Sequence, residues 1–480
     1  MLIRVNIVVH LFFFAVIVAF SGYSAFDLTQ VLVGFLMVGV TGHSALVLSS
    51  RQRRGNGLGA LTIGLVVFFW LAYTAKFGMA MFIADEYWVV PHLIDTVSLL
   101  RVLPEAYFLS MIGFVSVVTA IIAFPLRHSI DWKLRPGKAR VLGMLLLLCL
   151  GLVIKYFLKA RFFLAVPGMD PIQLPIPYLS GILALLLGYA MLFFANVPLF
   201  LALFTGNRWA VFVTFLAAMA NAGIDLRFGS KDTVMFQMTM IVAYLFMFRV
   251  GLESGRAKFK RTARGMIIII GVLGIGLVSA YKYMNFIRFA FFHGATSIAD
   301  AISMAAQSDV ATSRSSLIEL YNRITGIEAF SAVMQMAEAR LFSVSLSDML
   351  SGNLMRAFSD MFLGGIDTTS AFSMTLIGSW YAYGRISAII GGFLVTGGLF
   401  AAIQTLIVRA PGAPHNMRLA FLPVYWIMCV QLMLGGNPMI WLKTIIVTLP
   451  FVYFIGRLAF TTTSRLHQTT LTQPRLTRSS

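Results

Sequence analysis

Continuous apolar runs of close to twenty residues recur from one end of the chain to the other. A run of that length is what an α-helix needs to cross the hydrocarbon core of a bilayer. Inside lipid every backbone N–H and C=O must find its partner within the segment, which a helix provides. Composition agrees: 59% of residues are hydrophobic and 11% charged, against about 25% charged in a typical soluble domain. The mean hydropathy is +0.87. These features exclude a soluble enzyme. The net charge of +19 does not indicate a nucleic-acid partner either. The basic residues sit in short clusters between apolar runs, with no stripe of basic and aromatic residues outside the loops.

Twelve spans are expected, at about 5–26, 28–50, 58–84, 108–126, 141–158, 178–204, 209–224, 233–252, 266–284, 386–408, 419–435 and 439–460. The third and sixth are long enough to be tilted or bent, and the seventh is short. Basic clusters follow the even-numbered spans: Arg51, Arg53 and Arg54; Arg127, Lys133, Arg135, Lys138 and Arg140; Arg249, Arg256, Lys258, Lys260, Arg261 and Arg264; Arg409 and Arg418; Arg465, Arg475 and Arg478. Lysine and arginine accumulate on the cytoplasmic side, so both termini are expected there. Of the 18 acidic residues only Asp131 and Glu253 fall on that side. The first run begins after Arg4 and lacks a small-residue cleavage site, so it reads as a retained span. Cys149 and Cys429 lie inside apolar runs, so no disulfide is expected. No Cys/His cluster has metal-ligand spacing, and no metal or cofactor is expected.

The chain therefore divides into spans one to nine (1–284), a large extracytoplasmic segment (285–385), spans ten to twelve (386–460) and a Thr-rich basic cytoplasmic tail (461–480), expected to be disordered. The segment 285–385 contains neither proline nor cysteine. Leu317, Leu320, Ile324, Ile327 and Met334 space its apolar residues as an amphipathic helix does, and Ser316 to Glu319 has capping-box spacing. A structureless loop of that length is improbable, and long loops tend to carry function. The fold class expected is all-α: a polytopic integral membrane protein of about twelve helices with a helical extracytoplasmic loop domain, its spans packed around a lateral cavity.

The outer face is unusually cationic, with Arg101, Lys155, Lys159, Arg161, Arg227, Lys231, Lys282, Arg288, Arg314, Arg323, Arg340, Arg356 and Arg385. Lys155, Lys159 and Lys282 flank spans and are placed to snorkel. Arginines in the large segment have no such explanation, and a guanidinium grips two phosphate oxygens at once. Three constellations stand out. Asp225-Leu226-Arg227-Phe228-Gly229-Ser230-Lys231-Asp232 is a tight turn leading into a helix, with two cations for an anion. The plainer alternative pairs Asp225 with Arg227 and Lys231 with Asp232. Next, Arg314 to Phe330 contains Arg323-Ile324-Thr325-Gly326-Ile327-Glu328. Arg323 is either an anion ligand or a helix-face partner of Glu319, and Glu328 is a candidate base or sugar-binding carboxylate. The third, Thr375-Leu376-Ile377-Gly378-Ser379-Trp380-Tyr381-Ala382-Tyr383-Gly384, is either an interfacial aromatic belt or a stacking surface for sugar rings. Lys76 lies within the third span with no evident partner. His92 and His293 are isolated and read as structural.

These residues give the chain a resemblance to the Wzy-type polysaccharide polymerases, which join lipid-linked repeat units of O-antigen, capsule or exopolysaccharide. Gly229-Ser230-Lys231 is similar to that family's Gly-Ser-Arg/Lys turn. Arg323-Ile324-Thr325-Gly326 followed by Glu328 resembles its Arg-x-(Ser/Thr)-Gly helix. Thr375-Leu376-Ile377-Gly378 running to Tyr383-Gly384 resembles its Leu-Ile-Gly-Glu…Phe-Gly stretch, with Ser379 where an acidic residue is common. The many helices and the large late outer loop extend the likeness over most of the chain.

The resemblance implies glycosyl transfer at the periplasmic face of a bacterial inner membrane. The donor would be a growing glycan on undecaprenyl diphosphate, and the acceptor a sugar hydroxyl on one undecaprenyl-diphosphate-linked oligosaccharide. Arg323, Arg314, Arg227 and Lys231 would clamp the departing diphosphate, with Glu328 as base and Asp232, Arg356, Tyr381 and Tyr383 as further substrate contacts. Membrane lipid and a chain-length regulator protein are the other expected partners. The alternatives are an O-antigen ligase, which differs in its acceptor, a lipid-linked oligosaccharide flippase, and a structural subunit of an envelope assembly. Flippases favour ionisable residues near mid-membrane and internal repeats, and the chain shows no repeat.

Overall fold

The computed structural model describes residues 2–20, 22–52, 58–80, 96–123, 137–166, 172, 174–176, 178–205, 207–228, 231–251, 268, 271, 290, 299–300, 303–304, 326–350, 354, 357–358, 374–409 and 415–460. The described chain is helical throughout, with no strand among these residues. In order it forms α1 (Leu2–Phe20), α2 (Ala25–Gln52), α3 (Leu58–Phe69), a π-helical turn (Trp70–Ala75), α4 (Lys76–Ala80), α5 (Thr96–Ala123) and α6 (Lys138–Phe162). There follow α7 (Leu179–Leu185), a second π-helical turn (Leu186–Ala190), α8 (Met191–Thr205), α9 (Arg208–Arg227) and α10 (Lys231–Gly251). The last are α11 (Ile327–Glu338), α12 (Leu346–Leu350), α13 (Thr375–Arg409), α14 (His415–Gly435) and α15 (Pro438–Phe460).

Seven helices among the described residues are long and apolar enough to cross a membrane: Ala25–Ala45, Leu100–Ala123, Lys138–Phe162, Leu179–Thr205, Arg208–Arg227, Thr375–Ile407 and Trp441–Ala459. Shorter apolar helices cover His10–Ala19, Gly64–Ala80 and Phe421–Gly435. The chain is thus an all-α, multi-pass membrane protein. Of the span expected at 266–284 only residues 268 and 271 are described, and the tail and most of 285–325 lie outside the described residues.

Two of the expected boundaries shift. Helix α5 begins at Thr96 rather than near residue 108, because its polar residues Arg101 and Glu105 lie exposed while Leu103, Pro104, Ala106 and Tyr107 are buried. Apolarity alone does not register a helix that continues past the apolar run. Helix α13 likewise begins at Thr375, before the expected span at 386, and bends at Gly384–Arg385. The two spans that looked too long, the third and the sixth, each contain a π-helical turn. Such turns add a residue to the helix and often mark functional sites.

The core joins α5 to α13 and to α2, and packs α9 on α8. Phe35, Phe77 and Tyr107 form one aromatic cluster, the last two stacked at 4.8 Å, and Phe69 stacks on both Tyr73 and Phe114 at 4.4 and 4.8 Å. Ser110, Thr214 and Thr448 return their hydroxyl protons to carbonyls of their own helix, at Ala106, Ala210 and Thr444, which satisfies them in apolar surroundings. Leu142, Leu146, Leu150, Val153 and Phe157 leave one face of α6 apolar and exposed, as a lipid-facing helix requires. Helices α11 and α12 form a smaller cluster through Val333, Met336, Phe342, Met349, Phe358 and Met374, with Trp380 packed on it.

Candidate functional site

Helix α11 enters the core by its first turn. Gly326, the residue before it, lies so close to the π-helical turn that a Cβ would stand 1.9 Å from the Ala72 carbonyl oxygen. Only glycine fits, which gives a physical reason for the Gly in Arg323-Ile324-Thr325-Gly326. Seated this way, Glu328 in the first turn of α11 meets Lys76 at the head of α4, and Glu328 Oε1 pairs with Lys76 Nζ. Lys76 is fully buried. The Glu328 side chain retains 16% exposure, but its Oε2 is buried and has no hydrogen-bond partner among the described residues. Burial pushes the Glu328 carboxyl above its ordinary range, while Lys76 and the backbone N–H groups at the head of α11 pull against that rise.

The other end of α11 is bound to α13. The Tyr381 hydroxyl donates to Glu338 Oε1 at 3.2 Å, and Arg385 Nη2 donates to the Ala337 carbonyl at 2.9 Å. The Arg385 guanidinium lies 4.8 Å from the Tyr381 ring, and Phe330 meets the same ring edge-on at 5.6 Å. Arg385 holds φ 57° and ψ −144°, a conformation that strains a non-glycine residue. Gly378 faces Val333 of α11. The structure therefore packs the described end of the second constellation, Gly326–Phe330, on the π-helical turn and binds the far end of α11 to the third constellation.

Ser379 stands where the resembled family has an acidic residue. It is buried, and its hydroxyl donates to the carbonyls of Gly436 at 2.9 Å and Thr375 at 3.0 Å. A carboxylate has no proton to offer two carbonyl oxygens, so this position serves here as a tie between α13 and the α14–α15 turn.

The first constellation is built on a different partner. Asp225, near the end of α9, is 1% exposed and pairs with Lys155 at 2.7 Å and Lys159 at 3.0 Å, both on α6. It does not pair with Arg227, whose exposed guanidinium lies 5.2 Å from the Tyr156 ring. Lys231 and Asp232 open α10; their side chains lie outside the described residues. Arg314, Arg323 and Arg356 lie outside them altogether. Tyr381 is buried, whereas Tyr383 is exposed and meets Trp380 edge-on at 6.2 Å.

Sequence reasoning placed Lys76 without a partner and treated Lys155 and Lys159 as snorkelling residues. The usable signal was the burial implied by position: a cation several residues inside an apolar helix requires a carboxylate, and few carboxylates are at hand. Among the described residues no cluster of three or more His, Cys, Asp or Glu is arranged to hold a metal ion. Compared with protein-family models, with curated proteins and with solved structures, the chain matches none.

Proposed function

We propose that this protein is a polysaccharide polymerase, a polyprenyl-diphosphate-dependent glycosyltransferase of the inner membrane that joins undecaprenyl-diphosphate-linked oligosaccharide repeat units at the periplasmic face. The observation that carries the reading is the carboxylate of Glu328. One of its oxygens is held by a buried lysine, the other is buried and has no hydrogen-bond partner among the described residues, and the whole is delivered by a glycine that only this backbone contact explains. Lys76 favours the ionised form of Glu328 and fixes its orientation, and in this reading the carboxylate accepts the proton of an acceptor sugar hydroxyl.

In the reaction so assigned, that hydroxyl oxygen bonds to the anomeric carbon of the donor glycan. The bond from that carbon to the diphosphate oxygen breaks, and undecaprenyl diphosphate leaves with the electron pair. The hydroxyl proton passes to Glu328. Negative charge grows on the departing diphosphate, so cations placed there stabilise the transition state beyond the ground state. Arg323, Arg314, Arg227 and Lys231 are the residues assigned to that clamp, with both termini on the cytoplasmic side.

Purified protein in lipid vesicles, supplied only with undecaprenyl-diphosphate-linked repeat units, is expected to build a ladder of glycan lengths on a gel. Glu328→Gln removes the base, so among variant protein that remains folded the ladder should be lost or slowed about 100-fold or more. Absence of a ladder with folded wild-type protein and the native repeat unit would remove the polymerase reading. Transfer to an added lipid A-core acceptor would then identify a ligase.

A further inference from the structure

Taken alone, the segment Asp225–Asp232 neutralises itself, since it holds two carboxylates, Asp225 and Asp232, and two cations, Arg227 and Lys231. The fold takes Asp225 out of that balance. Asp225 Oδ2 accepts from Lys155 Nζ at 2.7 Å, and Asp225 Oδ1 faces Lys159 Nζ at 3.0 Å. Both lysines are buried, and Lys159 also donates to the Ala165 carbonyl at 2.9 Å. The arrangement is anchored inward. Lys155 donates to Asn221 Oδ1 at 2.7 Å, Asn221 Nδ2 to Gln237 Oε1 at 3.1 Å, and Gln237 Nε2 to Asn196 Oδ1 at 3.1 Å. Asn196 closes the series on the Leu192 carbonyl at 2.7 Å. Helices α6, α9, α10 and α8 are thus tied by one buried polar string.

Helix packing alone does not call for this. Apolar residues of similar volume commonly serve as well as a buried ion pair, and one lysine suffices to neutralise one aspartate. Here two lysines meet one carboxylate. The result is visible at Arg227, which is exposed and lies over the Tyr156 ring, while Asp225 pairs with the two lysines instead.

We propose that Lys155 and Lys159 sequester the Asp225 carboxylate so that it does not neutralise Arg227, which is left to meet the diphosphate of a polyprenyl-linked substrate. The identity of the ligand rests on the function proposed above; the sorting of charge rests on the ion pairs alone. Lys155 and Lys159 are positioning residues, because neither is open to a ligand.

The test uses full-length protein in nanodiscs of zwitterionic lipid, with farnesyl diphosphate as the probe and calorimetry as the readout. Wild type is expected to bind. Lys155→Met with Lys159→Met frees Asp225 to pair with Arg227, and should weaken binding about tenfold or more. Adding Asp225→Asn to that pair removes the competing carboxylate, and should restore binding to within about threefold of wild type. Asp225→Asn alone should bind at least as tightly as wild type. A structural role for the lysines predicts no such rescue.

A triple variant that binds as weakly as the double overturns the proposal, as does a folded Asp225→Asn protein that has lost the probe. If the double variant does not fold, the triple variant and Asp225→Asn still decide by comparison with wild type, since both should bind within about threefold of it or better. Competition by inorganic pyrophosphate is expected. Equal competition by phosphatidylglycerol would overturn the proposal in favour of a general site for anionic lipid. Polymer ladders from the same preparations keep the two ideas apart. Probe binding and rescue without any ladder would remove the polymerase and leave the charge sorting intact. A normal ladder with binding indifferent to all three residues would do the reverse.

Discussion

At the scale of single residues, Lys76 and Glu328 form a pair whose parts are unstable alone. An ammonium buried in an apolar helix requires a counter-charge, and removing one partner of a buried pair costs about 3–5 kcal/mol, because the other charge is stranded. Lys76→Met should therefore lower the melting temperature in detergent sharply, and Lys76→Met with Glu328→Gln should recover most of the loss. The pH dependence has a definite sign. Without its lysine, the Glu328 carboxyl keeps the desolvation that raises it and loses the cation that restrained it, so its folded-state value stands above the unfolded value of about 4.3. Below the unfolded value the contribution to stability is fully present. It is lost as pH climbs towards the folded value, because the unfolded chain ionises first. Above about pH 5 the melting temperature of Lys76→Met should fall with rising pH more steeply than that of wild type. Equal slopes would show that Glu328 is not desolvated.

At the scale of elements, the site depends on how α11 meets the π-helical turn. A Cβ at residue 326 would overlap the Ala72 carbonyl, and backbone does not yield as a flexible side chain does. Gly326→Ala should therefore displace the head of α11, at a cost of about 1–3 kcal/mol, and abolish polymer while the protein still inserts. Because displacement also separates Glu328 from Lys76, Gly326→Ala and Lys76→Met should be far from additive in a double-mutant cycle of melting temperatures. The π-helical turn has its own test. Deleting Leu71 removes the extra residue and returns Trp70–Ala75 to α-helical register, rotating Phe69 and the residues before it relative to Lys76. Membrane insertion should persist and polymer should be lost. Polymer of normal length in the deletion would detach the π-helical turn from function. The turn was legible only as a span too long for the bilayer, since a π-turn is set by tertiary packing, and nothing in Trp70–Ala75 differs in residue type from ordinary apolar helix.

At the scale of the whole molecule, what could be read from sequence divides by range. Local apolarity placed the helices, since lipid gives a span no alternative to internal hydrogen bonding. It misplaced the starts of α5 and α13, where Arg101, Glu105 and the aromatic residues near Tyr381 continue a helix beyond its apolar run. Partners distant in sequence, such as Lys76 with Glu328 or Lys155 with Asp225, were not legible, because a single sequence gives spacing within elements and not contact between them. Orientation is the reverse case, a global property carried by local composition. Every cluster of lysines and arginines follows an even-numbered span, with the six between Arg249 and Arg264 the largest. Moving such a cluster across the bilayer opposes the positive-inside bias that sets topology during insertion. A phosphatase–fluorophore reporter fused after Arg264 should accordingly read cytoplasmic, and one fused at Asp309 should read periplasmic. If both readings invert, Glu328 and Arg227 face the cytoplasm, where finished repeat units are not polymerised, and the proposed reaction loses its compartment. If only the reporter at Asp309 inverts, the span expected at 266–284 does not cross. The large segment then separates from the face assigned to the Asp225 turn, and the two halves of the diphosphate clamp cannot act on one substrate.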